Sequence, residues 1–137
     1  MRYLLDTNIW SYLQERHPVV LSRIGQLSKD AVLLMSVVSQ GELLGGVELV
    51  QNASRRSTLL ALYDEITSMA TEVLPIDSTA AEAFARIYAS LRLQGSSIDT
   101  NDMWIAATAL ANDLTVVSGD QHFRRVHGLR VEDWTKP

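Results

Sequence analysis

At 137 residues the chain is long enough for one well-buried core and too short for two, so one domain over residues 1–137 is expected. Its 47% hydrophobic and 20% charged residues are ordinary for a globular protein, and a net charge of −4 means that no global basic field advertises nucleic acid or an anionic membrane. Cysteine is absent, which excludes disulfides, thiolate metal sites and cysteine catalysis and fits a reducing compartment.

The apolar run ending at Leu5 stops on Asp6-Thr7-Asn8. It reads as a central buried strand that delivers a carboxylate to the rim of a sheet, with Thr7 and Asn8 starting a helix. The stretch before Asp6 is too short for the apolar region of a signal peptide. No run approaches the length needed to span a bilayer; Ala31 to Val38 is the nearest, and Ser36 interrupts it. A cytoplasmic protein with no membrane partner is expected.

Ile9, Trp10 and Leu13 predict a short helix that breaks near His17-Pro18. Val20, Leu21, Ile24 and Leu27 repeat at helical spacing, and Lys29-Asp30 closes that element. Val32 to Met35 is a second buried strand. A longer helix follows through Gly41-Glu42 to about Val50, and Gln51 to Ser54 is a turn with Ser54 as the cap. Leu59, Tyr63, Ile66 and Ala70 share one helical face, so this helix and its predecessor form a hairpin joined at Asn52. Glu72 to Ile76 is a third strand, placed at a sheet edge by Pro75.

Ser78 is the expected cap of the next helix, whose stripe is Ala80, Phe84, Ile87 and Leu91 and which ends at Gln94 to Ser97. Asp102 opens a strongly apolar helix reaching Leu110. Thr115 to Ser118 is a fourth strand, Gly119-Asp120 turns into a short helix through Phe123 and Val126, and Leu129 to Val131 is a fifth strand. The tail from Trp134 to Pro137 carries no signal. Strands alternating with helices imply an α/β protein whose largely parallel sheet is covered on both faces.

In a parallel sheet the strand ends share one rim, where open α/β folds bind ligands. Asp6, Glu42 and Asp120 all follow strand ends, whereas the first turn of the Asp102 helix fits either end of the sheet. Each acid also has a plainer role: Asp6 and Asp120 as helix caps, Asp102 as a complement to a helix N-terminus, Glu42 facing solvent. Together they point further. Carboxylates ~5 Å apart repel by roughly 3 kcal/mol at an effective dielectric near ~20, so a cluster needs a cation or shared protons. Oxygen donors without cysteine or a well-placed histidine pair favour Mg²⁺ or Mn²⁺ over zinc, and such a site can orient water at a phosphodiester.

Four stretches carry a resemblance: Leu4-Leu5-Asp6-Thr7-Asn8, Gly41-Glu42-Leu43-Leu44-Gly45-Gly46, Asn101-Asp102-Met103-Trp104-Ile105-Ala106-Ala107 and Val116-Val117-Ser118-Gly119-Asp120. In order and spacing they resemble the PIN-domain ribonucleases of the VapC toxin type, over essentially the whole chain. The resemblance implies a three-layer α/β/α fold with a five-stranded parallel sheet in the order 3-2-1-4-5. It carries catalytic roles onto Asp6, Glu42, Asp102 and Asp120, with Asp6 and Asp102 as the main metal ligands. Asn8 and Ser118 match polar positions that steady the cluster by hydrogen bonds; Ser118 stands where threonine is common. It further implies hydrolysis of RNA with Mg²⁺ or Mn²⁺, a homodimer, and inhibition by a cognate antitoxin protein. Asp99, an additional acid, reads first as a loop or capping residue.

Other features yield weaker readings. His122 and His127 are about 140° apart on a helix and share no face. Gly41, Gly45 and Gly46 lack the lysine of a phosphate loop and read as close helix packing. Arg55-Arg56 and Arg124-Arg125 read first as solvated charge, Arg124-Arg125 being the better candidate for RNA phosphates. Trp10 and Trp104 suit core packing or base stacking. Two rivals remain. A Mg²⁺-dependent aspartyl-phosphate enzyme or receiver-like domain would need a placed lysine, and the only lysines are Lys29 and Lys136. A catalytically silent binding module would tolerate loss of Asp6 and Asp102.

Overall fold

In the computed structural model, which describes residues 1–137, the strands are β1 (Arg2–Leu5), β2 (Val32–Ser36), β3 (Glu72–Leu74), β4 (Thr115–Val117) and β5 (Val131–Glu132). All pair in parallel, in the order β3-β2-β1-β4-β5. Strand β1 is central because both its faces are apolar: Tyr3, Leu4 and Leu5 are all buried, as a parallel strand with helices above and below requires.

Alternation along the strands separates two cores. Leu4, Leu34, Leu74 and Val116 point to one side, where α5 (Ser78–Leu93) and α6 (Thr100–Ala111) cover them. Tyr3, Leu5, Leu33, Met35 and Val117 point to the other. There they meet α1 (Thr7–Gln14), α2 (Pro18–Gly25), α3 (Val37–Leu49) and α4 (Ala53–Thr67). The result is the expected three-layer α/β/α arrangement and strand order. Small residues on α6 (Ala106, Ala107 and Ala109) let α5 lie close against it, and Phe84 stacks on Trp104 with ring centroids 3.9 Å apart. Gly95, at φ +66°, closes α5 in the left-handed turn that glycine adopts without a steric cost.

Several boundaries differ from the sequence reading for local reasons. Asn52, not Ser54, caps α4 by accepting from the Arg55 amide at 3.0 Å. Asp77, not Ser78, caps α5 by accepting from the Ala80 amide at 2.9 Å. In both, an Asx side chain sits earlier than the expected serine and in extended backbone. Helix α6 starts before Asp102, because Asp99 accepts from the Asn101 amide at 2.8 Å and leaves Asp102 in the first turn. Strand β3 stops at Leu74, ahead of Pro75, although it does lie at the edge.

Gly41, Gly45 and Gly46 do not mediate close packing: a β-carbon at any of them would meet nothing within 4 Å. All three are exposed on α3, while Leu43 and Val47 of the same helix are buried. Trp10 is wholly buried, so it is core and not a stacking platform. The tail is also core. Trp134 is fully buried, meets Tyr3 edge-on with centroids 5.0 Å apart, and donates its Nε1 hydrogen to Glu132 Oε1 at 3.0 Å.

Candidate active site

The Asp6 amide extends the ladder past the end of β1 by donating to Val117 O at 3.0 Å. That pairing fixes the residue at the sheet rim between β1 and β4. Its Oδ1 accepts from the Ile9 amide at 2.9 Å, capping α1, while its Oδ2 accepts from the Ser118 hydroxyl. Ser118 follows β4, and its Oγ accepts from the Asp120 amide at 2.9 Å. One small hydroxyl thus ties the Asp6 carboxylate to the backbone that carries Asp120.

Asp120 caps the following 3-10 turn (Gln121–Arg125) by accepting from the His122 amide at 2.8 Å, and its Oδ1 lies 3.3 Å from His122 Nδ1. Glu42 projects from α3, where its Oε1 accepts from Thr7 Oγ1 at 2.7 Å. Thr7 Oγ1 is also 2.9 Å from Ser39 Oγ. A hydroxyl has one proton, so with Thr7 donating to Glu42 the Ser39 hydroxyl donates to Thr7.

Asp6, Glu42, Asp102 and Asp120 all border a single cleft of about 340 Å³, together with Asp99. The end of the sheet that takes the first turn of α6, open on sequence grounds, is the one that carries Asp6. Asn8 borders the cleft too, but the hydrogen bond that steadies Glu42 comes from its neighbour Thr7. Asp99 both caps α6 and faces the cleft. Asn101 and His122 complete the lining and were not singled out as site residues from the sequence. Thr7 follows Asp6 directly, but a threonine at the start of a helix is too common for that position to stand out.

Asp6 is 4% exposed, and burial pushes its carboxyl up to about 6. The Ser118 and Ile9 hydrogen bonds work against that rise, while the charges of Asp120 and Glu42 add to it. Asp102 is likewise raised to about 6, first by burial and then by Asp99, Asp120, Asp6 and Glu42. No lysine or arginine lines the cleft to offset these acids.

The lining fits a hard divalent cation by its donor chemistry. It offers carboxylate and amide oxygens and no sulfur. No three of these acids form a closed coordination group by themselves. An ion that keeps part of its water shell and takes one or two carboxylates suits such an open set, as Mg²⁺ does.

A PIN domain model matches residues 3–129. The chain is 32% identical to Ribonuclease VapC1 of Haemophilus influenzae (strain R2866), across 99% of this chain and 100% of that one. It is 32% identical to the tRNA(fMet)-specific endonuclease VapC of Shigella flexneri, across 98% and 99% respectively. In the 2.2 Å structure of VapBC-1 from nontypeable Haemophilus influenzae, one chain superposes with a TM-score of 0.85 at 30% identity, covering 99% of this chain and all of that one. By the family model, by relatives matched end to end and by its strand order, the chain belongs to the PIN-domain family.

Proposed function

We propose that this protein is a divalent-metal-dependent endoribonuclease, the toxin of a VapBC-type toxin–antitoxin pair, acting at the acidic cleft. The observation that carries this reading is the convergence of five carboxylates, from remote parts of the chain, on one cleft without a lysine or arginine. A phosphodiester is an anion and would be repelled by such a cleft unless a cation were bound there.

Asp6 and Asp102 would hold Mg²⁺ or Mn²⁺, with Glu42 and Asp120 completing the donor set directly or through water. The chemistry such an ion would supply is charge neutralisation at the phosphodiester and easier ionisation of water. The chain's own residues supply position. Ser118 and the Ile9 amide each hold one oxygen of Asp6, so its carboxylate does not rotate. The Thr7 hydroxyl fixes Glu42 from across the cleft entrance, and Asn8 borders the path of the RNA. In the reaction, water oxygen bonds to phosphorus in line with the departing ribose oxygen, whose bond to phosphorus breaks. The water proton passes to a carboxylate of the cleft, and the departing ribose oxygen takes up a proton from solvent.

This activity takes RNA as substrate, a cognate antitoxin protein as inhibitor and a second copy of the chain as homodimer partner, with the cytoplasm as its compartment. No helix is long and apolar enough to cross a membrane. The aspartyl-phosphate alternative finds no support, because neither Lys29 nor Lys136 lines the cleft. The test is a cleavage screen of cellular RNA with Mg²⁺, Mn²⁺ or EDTA. Cleavage that needs the ion and is lost in Asp6→Asn is expected; equal cleavage by Asp6→Asn would overturn the assignment.

A further inference from the structure

A second cleft, of about 290 Å³, lies between α5, the end of α6 and the turn after Asp120. Its character is opposite to that of the acidic one. Arg86, Arg125 and His127 stand around it, Ile87, Leu91 and Leu110 give it apolar lining, and no carboxylate borders it. In a chain with 16 Asp and Glu against 12 Lys and Arg, a cleft bordered by two arginines and no carboxylate differs from the two places where an arginine is ion-paired. Arg16 meets Glu65 at 3.4 Å and Arg130 meets Asp113 at 3.1 Å. Arg86 has no hydrogen bond or ion pair within the chain and is exposed. Arg125 is held in place by a bond from its Nη1 to Ser97 O at 2.9 Å, which leaves other N–H groups of the guanidinium free to donate.

Two short connections join this cleft to the acidic one. Ser97, the anchor of Arg125, precedes Asp99 by two residues, and Arg125 follows His122 by three within one turn. A strand of nucleic acid leaving the acidic cleft along this edge would meet Arg125 first, with Arg86 on the far side of the same second cleft.

We propose that Arg86 and Arg125, with His127 beside them, form a subsite that holds an RNA backbone phosphate away from the cleavage point, with a base against Ile87, Leu91 and Leu110. The inference rests on the nuclease reading and extends it from the reacting bond to the path of the substrate. Guanidinium groups bind phosphate bidentately, and each phosphate neutralised releases condensed counterions, which gives the subsite a measurable signature. An acidic segment of a protein partner is the competing occupant. RNA is favoured because Arg125 is tied to the acidic cleft on two sides, through its bond to Ser97, two residues before Asp99, and through the turn it shares with His122.

The experiment measures equilibrium binding of a fluorescent single-stranded RNA oligonucleotide to full-length protein with Asp6→Asn as background, across a salt series with Mg²⁺ present. Adding Arg86→Gln and Arg125→Gln together should weaken binding about tenfold and flatten the salt dependence by about one unit of slope per arginine. Because Arg125 also anchors Ser97, Arg86→Gln alone is the cleaner variant; it should flatten the slope by about one unit, and Arg86→Lys should restore it. Unchanged affinity and slope in Arg86→Gln, with a wild-type protein that cleaves RNA, would overturn the subsite and leave the nuclease reading standing. Loss of antitoxin binding with RNA affinity intact would overturn it in favour of an acidic peptide. A wild-type protein that neither binds nor cleaves RNA would remove the nuclease reading and the subsite together.

Discussion

Thr7 and Glu42 are 35 residues apart in sequence and joined by a hydrogen bond of 2.7 Å, Thr7 Oγ1 donating to Glu42 Oε1. The same Thr7 oxygen accepts from Ser39, so a relay of two hydroxyls links α1 and α3 at the mouth of the acidic cleft. Thr7→Val keeps the shape of the side chain and removes that donor. Stability should fall by about 1 kcal/mol, and cleavage should fall several-fold as Glu42 loses its fixed orientation. Thr7→Ser should retain both. Chemical denaturation alongside RNA cleavage checks the pair, and a Thr7→Val enzyme with wild-type activity would remove Thr7 from the site.

Asp6→Asn should abolish cleavage and yet raise the stability of the metal-free protein at pH 7. Asparagine still caps α1, whereas the buried carboxylate is held at neutral pH against the desolvation that raises it to about 6. The gain should be about 2 kcal/mol, somewhat below the ~3 kcal/mol that the full shift represents. Thermal melts in EDTA measure it. A less stable Asp6→Asn protein would mean that the charge is better compensated than the cleft lining indicates.

The same two carboxyls set the pH dependence. Asp6 and Asp102 keep their protons to about pH 6 when folded but only to their ordinary 3.8 when unfolded. Between those values the native state binds more protons than the unfolded one. Stability from these groups is therefore full below about pH 4, lost as pH rises through 6, and absent above it. The melting midpoint in EDTA should be higher at pH 5 than at pH 7, and Asp6→Asn should halve that difference or more, since Asp102 is half-exposed and more strongly screened.

Divalent ions should reverse that trend. An ion binding the folded state alone stabilises it by about 2.7 kcal/mol at ~100 times its dissociation constant. Mg²⁺ or Mn²⁺ should raise the melting midpoint by several degrees at pH 7 and by less at pH 5, where it competes with protons. The combined Asp6→Asn and Asp102→Asn variant should show no shift. A full shift in that variant would place the ion elsewhere.

Trp134→Ala should cost about 3–5 kcal/mol, as removal of a fully buried indole does. It also leaves the Tyr3 ring without its edge-on partner and Glu132 without its donor. Urea denaturation should record the loss, with cleavage retained wherever the variant remains folded. A near-neutral change would show that the C-terminal segment is dispensable to the core.

Much of the architecture was written in local periodicity. Apolar runs of strand length, broken by helical stripes such as Ile87 and Leu91, mark βα alternation, and the acids at the ends of runs mark the rim. Where the sequence reading slipped, the cause was competition between nearby groups. Asn52 and Asp77 outcompete the serines that follow them as caps, and Asp99 outcompetes Asp102. Gly41, Gly45 and Gly46 look like a packing surface, yet nothing in a one-dimensional pattern says which face of α3 turns outward.

The sequence by itself determined which residues have the chemistry: hard oxygen donors, no thiol, a hydroxyl at Ser118 and a buried run that stops at Asp6. The resemblance of its four motifs supplied the strand order. Only the tertiary structure decided that Asp102 shares a cleft with Asp6, that Asp99 caps and borders it at once, and that Trp134 closes the core. Strand and helix periods are set by neighbours along the chain, whereas the meeting of α1, α3 and α6 at one rim depends on which faces are buried together. That choice is made by packing across the whole sheet, and no short stretch of sequence contains it.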